Sequence, residues 1–130
     1  MQNSSISDTG HERITLRKIG AVDYIYIDYE GLTPREMIDL LDVVINYTTR
    51  HPVPFIANFK DCKITTAYLK KSNEWIAATK EIVKFGCFLG LGFSTAFLLE
   101  SYLSLHGLKH KHYDSYEEAE ASILLAIGKK

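Results

Sequence analysis

The sequence of 130 residues lacks an excess of charge of either sign. Fifteen lysines and arginines stand against 16 acidic residues, so the formal net charge is −1. Domains that bind nucleic acid or anionic lipid carry a basic excess on one face, and the balance argues against both classes. At this length, with 46% hydrophobic residues, the chain can bury a core without disulfides or a structural metal.

Cysteine is scarce too. Cys62 and Cys87 lie far apart and form no C-x-x-C pair, which argues against a zinc ribbon and against a redox pair. Two reduced thiols are typical of a cytoplasmic protein. The first ten residues contain no lysine or arginine and no apolar run of the length that a secretory signal requires. We therefore expect a cytoplasmic protein.

Long hydrophobic runs and nucleotide-binding motifs are also missing. The uncharged stretch 85–99 contains three glycines and falls short of the roughly 20 apolar residues that span a bilayer, so it predicts no membrane span. Neither G-x-G-x-x-G nor G-x-x-x-x-G-K-[ST] occurs, and no G-x-S-x-G elbow is present. We expect no cofactor and no enzyme activity.

Apolar periodicity predicts the elements that are present. Alternation over residues 12–18 and 22–30 predicts a β-hairpin. Thr33 and Glu36 form a capping box around Pro34, which predicts that a helix begins there. Short apolar strands follow at residues 53–59, 87–93 and 108–113, and each is succeeded by a helical pattern with a hydroxyl residue at its start.

The predicted order is therefore ββαβαβαβα. Repeated strand-then-helix units predict right-handed crossovers and a mostly parallel five-stranded sheet, with an antiparallel strand at the N-terminal edge. The protein is predicted to be an α/β domain over residues 12–130, preceded by a disordered tail over residues 1–11.

Polar residues follow three of these strands. They are Asp28 and Glu30 after the second strand, Asp61, Thr65 and Thr66 after the third, and Ser94 after the fourth. Ligands of an open parallel sheet bind at the carboxyl ends of its strands, so this edge is a candidate recognition surface or phosphate-sized site. The alternative is that the hydroxyls only cap helices and the carboxylates only keep the loops soluble.

A metal site has little support in the sequence. Asp28, Glu30 and Asp61 could hold Mg²⁺ only if they converged, and their spacing does not establish that. His110 and His112 share one side of a predicted strand, yet no third ligand is recognisable. A polar edge strand that deters sheet-to-sheet association is the favoured explanation of the two histidines, and we predict no metal.

Three segments resemble the SpoIIAA-like (STAS) family of small bacterial domains. They are YIDYEGLT at residues 26–33, FIANF at residues 55–59 followed by Lys60 and Asp61, and YDSYEEA at residues 113–119. The chain is most similar to the divergent STAS-like branch of uncharacterised proteins. The resemblance implies a right-handed βα superhelix with helices largely on one side of the sheet. It also implies a non-enzymatic regulatory domain that binds proteins, as the anti-sigma-factor antagonists of the family do.

The resemblance also implies a regulatory hydroxyl. In the family, a partner kinase phosphorylates a serine or threonine at the start of the helix after the third strand. Thr65 and Thr66 stand at that place here, without the aspartate and glycine of the family's motif. A phosphate there would suit the helix dipole and would add a charge near −2 to the surface.

Two further expectations concern aromatic residues. Phe85, Phe88, Phe93 and Phe97 could line a hydrophobic cleft, so the alternative function is binding of a small molecule or a lipid. If the helices cover mainly one side of the sheet, Tyr24 and Tyr26 lie exposed on the other side, and we expect them to form a homodimer interface.

Overall fold

The structure, a computed structural model, describes the backbone of residues 7–127 and the side chains of residues 11–127. Within residues 7–127 six strands form one sheet in the order β1-β2-β3-β4-β5-β6. The strands are β1 (Ser7–His11), β2 (Ile14–Ile19), β3 (Val22–Asp28), β4 (Phe55–Asn58), β5 (Gly86–Leu89) and β6 (Lys111–His112). The helices of this part of the chain are α1 (Pro34–Arg50), α2 (Thr66–Thr79), α3 (Phe93–Leu105) and α4 (Tyr116–Ile127).

Strand direction follows the predicted pattern. β2 pairs antiparallel with β3, and β3, β4, β5 and β6 are parallel to one another. Each parallel strand lies beside its neighbour in sequence, with one helix in each connection. The predicted mixed α/β sheet and the order ββαβαβαβα are confirmed from β2 onward.

The N-terminal edge differs from the prediction. Residues 7–11, which the sequence assigns to a disordered tail, form β1 and pair antiparallel with β2, with His11 opposite Ile14. Strand pairing uses backbone amides and carbonyls, so this segment pairs without any apolar alternation. β1 and not β2 is therefore the edge strand. Residues 1–6 of the predicted tail and residues 128–130 of the predicted domain lie outside the described residues.

The start of α1 is built as its sequence predicts. The Thr33 hydroxyl accepts a hydrogen bond from the Glu36 amide at 3.2 Å, and the Glu36 carboxylate accepts one from the Thr33 amide at 2.9 Å. The bond from the Thr33 backbone lowers the pKa of Glu36. This capping box fixes the point at which the chain leaves β3 and turns back across the sheet.

The sheet is covered on both faces. Alternate strand residues, among them Ile25, Phe55 and Phe88, pack into the main core beneath α1, α2 and α3. The residues between them, such as Ile56 and Cys87, pack against α4 in a second, smaller core. α4 therefore crosses to the face that the family resemblance predicts to be largely bare. No helix of the described residues is long and apolar enough to cross a membrane.

A glycine permits an aromatic cluster at the beginning of the parallel strands. A Cβ atom added to Gly86 would lie only 2.1 Å from the Phe55 ring, so the ring occupies the space of the missing side chain. Phe55 then meets Trp75 at a ring-centroid distance of 5.3 Å and His110 at 5.0 Å. This cluster joins α2 to the segment that leads into β6.

His110 is buried inside this aromatic cluster. Neither of its ring nitrogens hydrogen-bonds to another group within residues 11–127, and the indole nitrogen of Trp75 has no hydrogen-bond acceptor there either. Burial lowers the pKa of His110 from 6.5 to about 4, because the charged imidazolium has no compensating partner. The predicted polar edge strand is thus wrong at His110, which is a core residue.

We expect Gly86→Ala to lower the free energy of unfolding by about 2 kcal/mol, because the new methyl group must displace the Phe55 ring. Urea unfolding measures the effect. Gly92→Ala is the matched control, since a Cβ there meets no atom within 4 Å, and it should cost less than about 1 kcal/mol. Equal losses in the two variants would contradict this account of Gly86.

The pKa of His110 also predicts a dependence of stability on pH. Between pH 6.5 and pH 4 the unfolded chain binds a proton that the folded chain excludes, so the free energy of unfolding falls as the pH falls. From pH 7 to pH 4 the free energy of unfolding should fall by about 3 kcal/mol more in the unmodified protein than in His110→Phe. Denaturant titrations of both proteins at several pH values measure this difference. The carboxylates titrate in both proteins, so their contribution drops out of it.

His106→Phe is the control for this experiment, because His106 is only partly buried and its ring lies tilted against that of Tyr102, with the centroids 5.1 Å apart. It should follow the pH dependence of the unmodified protein. Parallel curves for His110→Phe and the unmodified protein would show that His110 does not exclude the proton.

Candidate functional site

The carboxyl ends of β3 and β4 bring two of the predicted polar residues, Asp28 and Glu30, together with Asn58. Asp28 ends β3 directly opposite Asn58, which ends β4. The Asn58 amide nitrogen donates to the Tyr26 hydroxyl at 3.0 Å and to the Glu30 carboxylate at 3.4 Å. The Asp28 carboxylate accepts a hydrogen bond from the Glu30 amide at 3.0 Å. Asp28 and Glu30 are therefore held at the strand ends by hydrogen bonds.

Arg13, in the turn between β1 and β2, holds the loop after β3 by hydrogen bonds to its backbone. Its guanidinium donates to the Asp28 carbonyl at 2.9 Å and to the Glu30 carbonyl at 3.1 Å, and lies 3.9 Å from the Asp28 carboxylate. Both side chains are about one-third exposed, so the ion pair itself adds little stability. The guanidinium places a positive charge beside Asp28, whereas Glu30 is exposed.

Asp61 lies beside this pair on the next loop. The Gly31 amide donates to the Lys60 carbonyl at 3.0 Å, which ties the loop after β3 to the loop after β4. Asp61 has a φ of 57°, a left-handed conformation that asparagine and aspartate tolerate better than most residues, and its side chain is exposed. Glu30 and Asp61 thus present carboxylates at one edge, as the sequence predicts.

An open groove of about 400 Å³ lies between these two loops. Leu32 and Cys62 are partly buried in it, whereas Pro34, Asp61 and Lys63 are exposed at its margins. We call this groove, together with Glu30 in the loop before Leu32 and Thr66 three residues after Lys63, the strand-end rim. No motif in the sequence indicates this groove, because Leu32 and Pro34 reach it through the fold and not through spacing.

The two adjacent threonines have different roles. The Thr65 hydroxyl accepts a hydrogen bond from the Tyr68 amide at 3.1 Å and caps α2. Thr66 is the first residue of α2 and is exposed. Thr65 is therefore a cap, as one interpretation of the sequence predicts, and the side chain of Thr66 is exposed.

Ser94 reaches the same edge but does not cap α3. The N-cap residue is Gly92, which has no side chain to form a cap, and Ser94 lies exposed in the first turn of the helix. The turn before α3 packs closely on the loop after β4, since a Cβ on Gly90 would lie 2.5 Å from the Lys60 nitrogen. The predicted cap at Ser94 is wrong, whereas its position at the strand ends is confirmed.

The thiol of Cys62 is held in its neutral form. Burial, together with the carboxylates of Asp28, Asp61 and Glu30, raises its pKa to about 11. Burial likewise raises the pKa of the Cys87 thiol to about 11. The thiolate is the nucleophilic and metal-binding form of cysteine, so both residues are unreactive near neutral pH. Within residues 11–127 no three His, Cys, Asp or Glu side chains converge as metal ligands.

Tyr24 does not form the exposed surface that the sequence predicts. It is fully buried beneath α4, and its hydroxyl bonds the Tyr116 hydroxyl and the Glu120 carboxylate. Burial and these partners raise its pKa. Tyr26 is partly buried, with its ring edge-on to Tyr116 at 5.5 Å and the Arg17 guanidinium over its face at 4.2 Å. α4 fills the place that a second copy was expected to take.

The four phenylalanines of the predicted cleft also lie apart from one another. Phe85 packs against the second core and Phe88 is buried in the main core. Phe93 and Phe97 project from the outer side of α3, where they are 87% and 64% exposed. The cleft that they were expected to line is therefore absent from the described part of the chain.

α3 instead exposes an apolar surface that the sequence analysis missed. Phe93, Phe97, Leu98 and Leu105 all lie on its outer side, opposite the buried Ala96, Leu99 and Leu103. The available signal was the composition of the helix, which has eight apolar or aromatic residues, four small hydroxyl residues and Glu100 as its one charged residue. Such a helix is usually fully buried, so one exposed at a sheet edge indicates an interaction surface.

Comparison with known proteins identifies the fold. A crystal structure of an uncharacterised protein of the DUF3478 family with a SpoIIAA-like fold, from Shewanella loihica PV-4, is similar with a TM-score of 0.66. The match covers 95% of this chain and 97% of that one, at 9% sequence identity. No family model matches the sequence, and no curated protein is similar to it. The chain therefore has a SpoIIAA-like fold, as the resemblance implies.

The two threonines give a test of the site geometry. Thr65→Ala should lower the free energy of unfolding by about 1 kcal/mol, because the Tyr68 amide loses its acceptor. Thr66→Ala should change it by less than about 0.5 kcal/mol, because the Thr66 side chain is exposed. Thermal or urea unfolding of the pair measures both values. The reverse order of the two losses would contradict the assignment of the cap to Thr65.

Proposed function

We propose that this chain is a non-enzymatic regulatory domain that binds a partner protein at the strand-end rim. The observation that carries the proposal is the groove at the carboxyl ends of β3 and β4. It has Leu32 and Cys62 inside it and the charged residues Asp61 and Lys63 at one margin. An apolar centre surrounded by polar groups is the usual composition of a protein–protein interface.

The shape of the groove favours a protein segment as the occupant. Its margins are exposed, so the groove does not enclose a small molecule as a ligand pocket does. A partner loop can place one apolar side chain against Leu32 and Cys62. Charged residues on either side of that side chain can then pair with Asp61 and Lys63. Because the rim carries both signs of charge, specificity comes from the order of charges along the partner segment.

The chemistry of the cysteines supports a role without catalysis. Cys62 is the nucleophile nearest to the groove, and a pKa of about 11 keeps its thiol protonated near neutral pH. His110, which could serve as a base, lies at the opposite end of the parallel strands, buried against Phe55 and Trp75. The groove thus holds recognition groups and no activated nucleophile–base pair.

Thr66 supports a regulatory role for this surface. It stands exposed in the first turn of α2, where the helix dipole favours an added phosphate, and its neighbour Thr65 already supplies the cap. A phosphate would bring a charge near −2 close to Asp61 and would repel an acidic segment of the partner. Phosphorylation of Thr66 is therefore the form of control that we propose, while Thr65 retains a structural role.

The alternative function, binding of a small molecule or a lipid, finds little space inside the molecule. The cavity in the main core, between the sheet and the helix residues Tyr68, Trp75 and Leu99, has a volume of about 40 Å³. That volume accommodates molecules of the size of water, whereas drug-sized ligands occupy roughly 300 Å³ or more. Native mass spectrometry of the purified protein tests this alternative, and a retained fatty acid or other organic ligand would contradict the interaction-domain proposal.

The rim can be tested before the partner is known. A photo-crosslinking amino acid at position 66 should capture the partner in the native cell, and the same amino acid at the exposed Lys84, beyond the end of α2, should not. Against the captured and purified partner, Thr66→Glu should weaken binding about tenfold through charge repulsion. Its cost in stability should be small, because an acidic residue in the first helical turn is favourable by about 0.3–1 kcal/mol.

The control for the affinity measurement is Thr65→Ala, which should lower stability and leave the affinity unchanged. Unchanged affinity in both Thr66→Glu and Asp61→Lys would remove the recognition role from the rim. Capture of the same protein from positions 66 and 84 alike would also count against the proposal.

A further inference from the structure

The outer side of α3 carries four of the eight large hydrophobic residues that are exposed within residues 11–127. α3 is the outermost of the three helices on its face, bound to α2 on one flank by the Tyr102 hydroxyl, which donates to the Leu69 carbonyl at 3.3 Å. Phe93, Phe97, Leu98 and Leu105 are 87%, 64%, 59% and 85% exposed. Residues with this spacing share one side of a helix about 20 Å long.

This surface is uncharged. The other outward residues of α3 are Ser94, Ser101 and Ser104, and its one charged residue is Glu100. The Glu100 carboxylate faces the sheet edge, where it accepts a hydrogen bond from the His112 amide at 2.6 Å. An interface formed here therefore buries no charge of α3, which removes the main cost of bringing two such surfaces together.

A membrane is disfavoured as the partner of this surface, because helices that lie on membranes usually carry lysine and arginine and α3 has none.

We propose that this surface binds the same surface of a second copy, with the two α3 helices antiparallel about a two-fold axis. The sequence of α3 is complementary to itself in that arrangement. With the axis near Leu99, Phe97 of one copy faces Ser101 of the other, and Phe93 faces Leu105. Large side chains thus meet small ones at the centre and close the interface at both ends.

The available area fits a reversible dimer. The four apolar side chains expose about 500 Å² in each copy. With the serines between them, the two copies would bury about 1,200 Å² in total, which is the lower limit for specific interfaces. We therefore expect a dissociation constant on the order of 10 μM and a homodimer that does not involve Tyr24 or Tyr26.

Sedimentation equilibrium of the full chain over about 1–200 μM tests the dimer. Phe97→Glu should weaken dimerisation at least about 100-fold, because the carboxylate would be buried without a partner. Its melting temperature should match that of the unmodified monomer, since Phe97 is exposed. Leu125→Glu is the matched control: Leu125 is 67% exposed on α4, and the change should leave the dimer intact.

The antiparallel register has its own test. Ser101→Lys should also yield a monomer, and mixing it with Phe97→Glu should restore a heterodimer, because the antiparallel pair places the new glutamate beside the new lysine. If Phe97→Glu fails to fold, Ser101→Lys alone still tests whether α3 forms the dimer interface. Failure of the mixed variants to associate would overturn the antiparallel arrangement.

Three outcomes would overturn the proposal as a whole. They are a strict monomer at 200 μM, a dimer insensitive to both variants, and a monomer that instead binds vesicles of phosphatidylcholine through α3. The result is independent of the rim, because Thr66→Glu should leave dimerisation unchanged and Phe97→Glu should leave binding at the groove unchanged. A result that overturns dimerisation through α3 thus does not count against partner binding at the strand-end rim. A result that overturns partner binding likewise does not count against the dimer.

Discussion

The burial of β4 and β5 on both faces is the constraint that places every helix. Phe55 and Phe88 point to one side of the sheet, and Ile56 and Cys87 point to the other. Parallel strands with two apolar faces are stable only when helices cover both. One helix therefore has to cross over, and α4 does so. Tyr24 becomes buried beneath it, where its hydroxyl needs the polar partners that α4 supplies.

The same constraint explains the exposure of α3. Three helices share the main face, and α1 and α2 pack closely against each other, joined by Lys71 with Asp42 at 2.6 Å. α3 has a neighbouring helix on one flank only, above the two-residue edge strand β6. α3 has more apolar residues than its one buried side can accommodate. The excess apolar surface is a consequence of its place at the edge of the helical layer.

Features encoded by neighbouring residues could be predicted, and features set by distant contacts could not. The capping box of Thr33 and Glu36 depends on residues three positions apart, so the sequence alone reveals it, whereas the sequence leaves the cap of α2 open between Thr65 and Thr66. β1 depends on backbone pairing with β2, and the burial of His110 depends on the missing side chain of Gly86. Neither leaves a local pattern. The polar residues of the rim could be predicted because the order of the strands determines which loops lie next to one another. The groove at Leu32 could not be predicted, because it depends on the conformation of those loops.

The direction of α3 relative to the strands ties the two surfaces into one geometry. α3 begins at the strand-end rim and runs back to the opposite end of the sheet, as the helix of a strand–helix–strand unit must. In the proposed dimer, an antiparallel pair of α3 helices would place the rims of the two copies at opposite ends. A charge placed at Thr66 would then act on the proposed partner at its own rim, and the proposed α3 contact, which contains no charged residue of α3, would be insensitive to it.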